Sequence, residues 1–344
     1  MSKVITEDFE YITDNLTSLH RLQGSTVLVT GATGFLGSLI IKTLDYANKK
    51  MSLNIKLLAL VRDETKVKNI LKGCEITVIK GDICELPEIP DNIEYIFHCA
   101  AITKSKEMVE KPVQVIEGIV NGTQNILKLA HEKNIKSMVY LSSMEVYGAT
   151  NPELEYVKED DLGYLQIQNA RSCYPLGKRM AENICYSNFC QYKVPVKIAR
   201  LAQTFGAGIL KTENRVFHQF AQSAIKGEDI ILHTDGASSG NYCYCADAVL
   251  GLLLLLLKGT DGEIYNIANE NANMTIKQMA ETVSNKIANG KISVIYDIPK
   301  ENTFGYAAPA NMKLSSEKIR ALGWQPKYNI EEMYVRMIQD MKEA

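Results

Sequence analysis

Tyr174 and Lys178 stand four residues apart in Tyr174-Pro175-Leu176-Gly177-Lys178, a spacing that on a helix brings a phenol and an ammonium to one face. A free tyrosine titrates near pH ~10, and a neighbouring cation favours the phenolate, so the pair is suited to general base work. Thirty-one residues before Tyr174, Leu141-Ser142-Ser143 closes an apolar strand-like run and offers a hydroxyl that can bond a substrate oxygen beside the phenol. A third group is the stretch Thr30-Gly31-Ala32-Thr33-Gly34-Phe35-Leu36-Gly37, which comes after Thr26-Val27-Leu28-Val29 and runs into Ser38-Leu39-Ile40-Ile41. This reads as strand, glycine turn and helix start. Glycines at this spacing permit a tight turn and close approach to a pyrophosphate, while the helix N-terminal amides hold its negative charge. A dinucleotide is the natural ligand, with Gly31, Thr33, Gly34, Phe35, Leu36 and Gly37 as its contacts.

These groups need a scaffold that brings the ends of separate strands together. From Thr26 onward, strand-like runs at 56–61, 75–79, 95–98, 137–141 and 196–198 alternate with helical segments such as 112–133 and 174–192. The alternation predicts an α/β fold, a Rossmann-type doubly wound parallel sheet with helices on both faces. Ahead of it, Ile5, Phe9, Ile12, Leu16 and Leu19 recur at helical spacing, so 1–24 is read as an amphipathic helical extension, the helix itself running over residues 4–22. Residues 25–200 then make the NAD(P)-binding domain with Ser143, Tyr174 and Lys178. Residues 201–344 mainly make a smaller C-terminal substrate-binding lobe, with some return to the body, over the carboxyl ends of the strands. The lobe carries glycine turns at 206–208 and 235–236, a helix over 216–226 and a closing helix from Ile330.

At 344 residues, 46% hydrophobic and 23% charged, the chain is long enough to bury a full core. A net charge of −2 with no basic run leaves no footprint for nucleic acid or an anionic membrane and favours small-molecule chemistry. The apolar run 248–257 is about half the ~20 residues that cross a bilayer, so it reads as a buried helix. The acidic, polar start Met1 to Asp8 lacks the form of a secretory signal, and the expected location is the cytosol. Eight cysteines are scattered without a CxxC pair, which suggests neither a metal site nor a disulfide framework. Cys243 and Cys245 are read as packed thiols on a strand-like stretch.

Further segments in the same order make the chain resemble the extended short-chain dehydrogenase/reductases of the nucleotide-sugar epimerase/dehydratase family, from about Thr26 to Tyr334. They are Gly81-Asp82-Ile83, His98-Cys99-Ala100-Ala101, Asn121-Gly122-Thr123, Ser142 to Gly148, Arg200 to Gly206, Asp247-Ala248-Val249 and Leu322 to Pro326. The resemblance implies that Asp82, with Ile83, meets the adenine and that Ala100 and Ala101 line the cofactor. It makes Ser143 the catalytic hydroxyl and Tyr174 the acid/base, and gives Lys178 the nicotinamide ribose. It further implies substrate contacts at Thr103, Ser143 and Gln203, a nucleotide-diphosphate sugar as substrate, and a homodimer built on the helices near 112–133 and 174–192. The implied reaction opens with hydride removal from a sugar carbon, usually C4, to nicotinamide as Tyr174 takes the hydroxyl proton.

Four positions bear on the substrate and on the fate of the keto intermediate. An acid matching Glu145 helps the family's dehydratases and decarboxylases remove a proton or handle a carboxylate, so Glu145 is a further catalytic candidate; the alternative is a buried glutamate bonded to loop backbone. Met144 stands where paired Asp-Glu dehydratases keep the acid that protonates departing hydroxide, and a thioether donates no proton. Gly240 stands where many relatives carry a pyrophosphate-binding arginine. Arg215 is the candidate replacement, or else a solvated helix-start arginine. Gln203 occupies the place of a frequent Asn. Finally, Arg62 ends the second strand at the position that discriminates cofactors, where a cation suits a 2′-phosphate, so NADP is expected over NAD.

Three functions stay open. The first is a nucleotide-sugar epimerase, decarboxylase or dehydratase with an internally recycled cofactor, which Glu145 favours. The second is an NADPH-dependent reductase of a nucleotide-linked keto sugar, favoured by Arg62 and Met144. The third is a non-catalytic cofactor-binding regulator, which would be expected to lose Tyr174, Lys178 or Ser143; all three are present.

Overall fold

Successive residues of a strand face opposite sides of its sheet, and in the first strand, β1 (Thr26–Thr30), both sides are apolar. Val27 and Val29 enter one core and Leu28 enters another, so both faces of the sheet are covered. The computed structural model describes residues 1–90, 92–299 and 311–343. After β1 come β2 (Lys56–Val61), β3 (Thr77–Lys80), β4 (Tyr95–His98), β5 (Ser137–Ser143), β6 (Val196–Leu201), β7 (Gln203–Phe205), β8 (Ile230–Leu232), β9 (Ser239–Tyr244), β10 (Ile264–Ile267), β11 (Asn273–Thr275) and β12 (Val294–Tyr296). Seven of these form one parallel sheet in the order β10-β6-β5-β4-β1-β2-β3. The order reverses between β1 and β4, and at such a switch point the loops part and leave a crevice. This is the Rossmann-type doubly wound sheet expected from the alternation. Residues beyond 201 return to it through β10, while β11-β9-β7 and β12-β8 form two small sheets outside it.

The helices are α1 (Lys3–Asn15), α2 (Phe35–Met51), α3 (Val67–Ile70), α4 (Ser105–Glu110), α5 (Pro112–Glu132), α6 (Cys173–Tyr192), α7 (Val216–Lys226), α8 (Cys245–Lys258), α9 (Ile276–Thr282), α10 (Glu317–Arg320) and α11 (Ile330–Glu343). On one face α5 and α6 pack against each other and the sheet. On the other, α8 is wedged between β5 and β6 beneath it and α1 and α2 above, so its leucines are buried all round. That wedge explains the apolar run at 248–257; among the described residues no helix is long and apolar enough to cross a membrane.

The N-terminal segment departs from the expected single helix over residues 4–22. α1 ends at Asn15, whose side chain donates to the Tyr11 carbonyl at 2.8 Å, and Leu16 leaves helical geometry (φ −125°, ψ 73°) for a 3-10 turn at Thr17–Leu22. The bend keeps Leu16, Leu19 and Leu22 all buried. Polar bonds clasp α1 to the body: Tyr11 donates to Asp247 at 2.9 Å, Tyr244 donates to Asp8 at 2.7 Å, and Arg336 Nη2 donates to Asp8 at 2.7 Å. Burial pushes Asp8 and Asp247 up to about 6. Cys243 lies in β9 but Cys245 opens α8, and both are buried free thiols.

Candidate active site

The glycine turn is set by contacts that leave no room for a side chain. Gly31 adopts φ +63°, and a Cβ built there would lie 2.8 Å from Ala100 Cα. A Cβ on Gly37 would lie 2.4 Å from the Gly31 carbonyl oxygen, so the first turn of α2 packs directly on the loop that precedes it. Gly34 is the N-cap of α2 and supplies no side-chain acceptor. The leading amides of that helix therefore have no side-chain partner, and they form a cradle of N–H groups and positive dipole suited to a pyrophosphate. Thr33, Phe35 and Leu36 lie in this turn and helix start.

Adjacent loops complete the cofactor side. His98 Nδ1 lies 2.8 Å from Thr30 Oγ1 and its Nε2 3.2 Å from Thr123 Oγ1, while the Ala100 amide donates to Thr30 Oγ1 at 3.2 Å. Burial, with the Lys178 charge nearby, pushes His98 down to about 3, so it packs as a neutral imidazole. Ala101 follows Ala100 in the half-buried end of this loop. Asp82 accepts from the Cys84 amide at 2.8 Å, and Asn125 donates to the carbonyls of Ile83 and Cys84 at 3.0 and 2.8 Å. Gly122 leaves the space that Ile83 fills against α5, since a Cβ there would lie 2.4 Å from the Ile83 side chain.

Ser143 ends β5 and Tyr174 and Lys178 open α6, so strand and helix meet where the chemistry was expected. A hydrogen bond from Ser143 favours the Tyr174 phenolate, as do the charges of Arg215 and Arg171; burial and Glu145 oppose it, and burial dominates, pushing the phenol well up. Lys178 donates to the Leu141 carbonyl at 2.7 Å, with its ammonium 4.7 Å from the Tyr140 ring centroid and 5.9 Å from that of Tyr174. Burial brings Lys178 down to about 8, against the pull of Glu182. Lys178 thus sits under the ring.

Beneath Ser143 lies a buried network. Ser142 Oγ donates to Glu182 Oε1 at 2.6 Å, and Arg200 reaches Glu182 through Nε at 3.0 Å and Nη2 at 2.7 Å. Arg200 also donates to the Glu159 carbonyl at 2.5 Å and stacks 4.8 Å from the Tyr147 ring centroid. Loss of one partner from a buried pair of this kind costs about 3–5 kcal/mol, because the other charge is left without compensation. Arg179 donates to the carbonyls of Val146, Tyr147 and Gly163, which fixes the loop after Ser143. Glu182 could have been found from its position four residues after Lys178, on the same helical face.

The substrate side is looser. Glu145 donates its amide to Ser143 Oγ at 3.2 Å, and its carboxylate is paired with Arg171 at 2.8 Å, with no backbone donor to it among the described residues. Arg171 was missed; its place three residues before Tyr174 was the available signal. Gly240 lies in β9 against Met144, whose methyl carbon would be 3.3 Å from a Cβ there, so the two departures from the family pattern touch. Arg215 is the N-cap of α7, pairs with Glu213 at 2.5 Å, and lies over the Phe217 ring, close enough for its charge to act on Tyr174. It is therefore not only a solvated helix-start residue. Thr103 is exposed on the loop leading into α4, and Gln203 is exposed on β7. Among the described residues no three His, Cys, Asp or Glu side chains cluster to hold a metal.

Residues 27–268 match the NAD dependent epimerase/dehydratase family. UDP-glucuronic acid decarboxylase 6 of Arabidopsis thaliana is 28% identical over 319 residues, covering 92% of this chain and 88% of that protein. The dTDP-D-glucose 4,6-dehydratase of Homo sapiens is 29% identical over 332 residues, covering 92% and 90%. In fold, the chain is similar to UDP-glucuronic acid 4-epimerase from Bacillus cereus, solved with UDP-glucuronic acid and NAD (TM-score 0.76, 19% identity, 92% of this chain and 99% of that one).

The expectation of NADP from Arg62 is overturned, since the matching family is NAD dependent and the solved neighbours that hold a named cofactor hold NAD. The strand end supplies a physical reason. β2 stops at Val61 and Arg62 is exposed, whereas the next residue, Asp63, is held below the usual carboxylate range by the Thr65 hydroxyl and amide. A 2′-phosphate would meet that fixed negative charge beside the cation, while a ribose hydroxyl would not suffer from it.

Proposed function

The chain belongs to the NAD dependent epimerase/dehydratase family, and on that premise we propose that it oxidises the sugar of a nucleotide-linked uronic acid at C4, decarboxylates the resulting keto sugar, and returns the hydride to C4 of the decarboxylated ketone, so that the cofactor is restored. The observation that carries the reading is the meeting of Ser143, Tyr174 and Lys178 at the mouth of the sheet, beside a glycine cradle that suits a dinucleotide. NAD held by Gly31, Thr33, Gly34, Phe35, Leu36, Gly37, Asp82, Ile83, Ala100 and Ala101 would supply the hydride acceptor. Tyr174 takes the proton of the C4 hydroxyl, Ser143 bonds the same oxygen, and Lys178 holds the ribose and stabilises the phenolate. Thr103, Gln203 and Arg215 face the substrate, with Arg215 as its anion-binding cation in place of the clamp absent at Gly240.

The step after oxidation turns on Met144 and Glu145. Dehydration would need a proton donor for departing hydroxide, and Met144 has none. A 4-keto uronic acid is a β-keto acid that loses carbon dioxide with no such donor, so the thioether is no obstacle. Loss of carbon dioxide leaves an enolate that takes a proton from water at the carbon next to the ketone, with Glu145, beside Ser143, flanking that carbon. The similarity to UDP-glucuronic acid decarboxylases supports this choice among the family's reactions. The reductase alternative loses one of its two supports with Arg62. We place the protein in the cytosol as a homodimer, with residues 1–24 as an extension, 25–200 as the cofactor domain and 201–344 mainly as the substrate lobe. Val113 and Ile116 on α5 and Met180 on α6 are exposed apolar side chains that a partner would cover.

The test is to incubate the NAD-loaded protein with UDP-glucuronic acid, UDP-glucose and dTDP-glucose, and follow products by mass spectrometry and NADH by absorbance. Loss of carbon dioxide from UDP-glucuronic acid with no net NADH is expected. Steady cofactor turnover would make the enzyme a net oxidoreductase, and an unchanged formula with inverted stereochemistry would make it an epimerase.

A further inference from the structure

The carboxylate of Glu145 is already engaged. Arg171 Nη2 lies 2.8 Å from Glu145 Oε2 and donates to Oε1 at 3.1 Å. Both residues are fixed by their own backbone: Glu145 donates its amide to Ser143 Oγ, and Arg171 donates its amide to Asn169 Oδ1 at 3.0 Å in the 3-10 turn Ala170–Ser172. That turn packs on α4, where Cys173 Sγ donates to the Met108 carbonyl at 3.3 Å, and it leads straight into Tyr174. The Arg171 side chain is 18% exposed and that of Glu145 39%, so the pair is partly shielded from solvent on the arginine side.

We infer that Arg171 is a positioning residue for the acid/base, anchoring the Glu145 carboxylate and balancing its charge beside the Tyr174 hydroxyl. This rests on the reading of Tyr174 as the group that takes the substrate proton. Among the described residues, the groups that act on the phenol or lie against its ring are Ser143 at the end of β5, Glu145 in the adjoining turn, Arg171 before α6, Arg215 at the head of α7, itself paired with Glu213, and Lys178 and Tyr140 beneath the ring. Of these, only Glu145 is an anion. With Arg171 in place part of the Glu145 charge is offset at the phenol. Without it an unpaired negative charge faces a group that must itself become negative, and the carboxylate is free to swing from its place beside Ser143.

Oxidation needs the phenolate, so its rate rises with pH up to the tyrosine limb. Arg171→Met removes a cation and moves the limb up by about half a pH unit; Glu145→Gln removes the anion with the larger effect on the phenol and moves it down by more; the double variant lies between the two single variants, on the low side of the wild type. The experiment is single-turnover reduction of bound NAD by UDP-glucuronic acid across pH, with Arg171→Lys as the conservative variant and a thermal midpoint for each protein. Opposite shifts, with the double variant between the two single variants and Arg171→Lys between wild type and Arg171→Met, support the role. A rate that falls equally at every pH with the limb unmoved overturns it and leaves Arg171 a structural residue. If the wild type reduces no NAD with UDP-glucuronic acid, UDP-glucose or dTDP-glucose, the functional reading falls. The pair is then judged on the NAD complex by the tyrosinate absorbance that Tyr174→Phe removes, where the same opposite displacements support it and coincident titrations overturn it.

Discussion

The two sides of the cleft are built differently. On the cofactor side, Gly31 and Gly37 face backbone atoms at 2.8 and 2.4 Å from where a Cβ would sit, and backbone cannot step aside. On the substrate side, among the described residues, Gly240 faces the methyl end of Met144 at 3.3 Å, a group with three rotatable bonds. The first region is specified by close packing and tolerates no change. The second has side chains with room to move, where Met144 and Gly240 stand in place of the groups the family resemblance implies while the sheet below stays the same. The difference shows how one fold can host several reactions: the cofactor geometry is held constant and the chemistry is decided by residues that are cheap to exchange.

The largest effect should come where the two sides meet. Tyr174→Phe removes the proton acceptor and little packing, so turnover should fall by about 10³-fold while NAD still binds; retention of more than about a tenth of the activity would remove Tyr174 from its role. Next is Gly31→Ala, which places a methyl against Ala100 in a left-handed backbone. It should cost about 1–3 kcal/mol and weaken NAD binding well beyond any effect on the fold. Titration calorimetry with NAD, beside a thermal midpoint, separates the two losses, and unchanged NAD affinity would break the claim that the cradle is rigid.

The same division governed what could be read from sequence. The glycine turn, β4, the helix at 216–226 and the Tyr174–Lys178 spacing were legible because periodicity and backbone-limited turns leave local signatures. The bend at Leu16 was not, because one apolar spacing serves both a helix and a helix that gives way to a 3-10 turn. Nor was the Glu145–Arg171 pair, whose partners lie 26 residues apart and meet only when α6 packs beside the end of β5. Arg62 misled because the cation was weighed above the Asp63 that follows it, and the bonds from Thr65 that fix that carboxylate are displayed only by the folded turn.

A medium effect tests whether the cofactor side is held by neutral packing. His98 is pushed down to about 3 in the fold, whereas in an unfolded chain it titrates near ~6.5. Between those values the unfolded state binds a proton that the native state does not, so stability is lost as pH falls from about 6.5 toward 3, with a slope of up to about 1.4 kcal/mol per pH unit from this residue. Above pH 6.5 it contributes no slope. Urea unfolding at several pH values should show a shallower acid loss for His98→Gln than for the wild type. Parallel curves would mean that the imidazole is not shielded as its bonds to Thr30 and Thr123 indicate.

The smallest effect should come from Gly240→Ala, and its smallness is the point. The new methyl would meet the end of the Met144 side chain, which can rotate by a few tenths of an ångström, so stability should change by less than about 0.5 kcal/mol and NAD affinity not at all. Gly240→Arg, carrying the cation that many relatives are implied to have there, must displace Met144 to fit. If the substrate side is as adaptable as its packing indicates, the variant folds with a thermal midpoint near that of the wild type and binds UDP more tightly in a calorimetric titration. A collapse in stability for Gly240→Ala would show that this side is as closely packed as the cradle, and the contrast between the two regions would fail where it is easiest to measure.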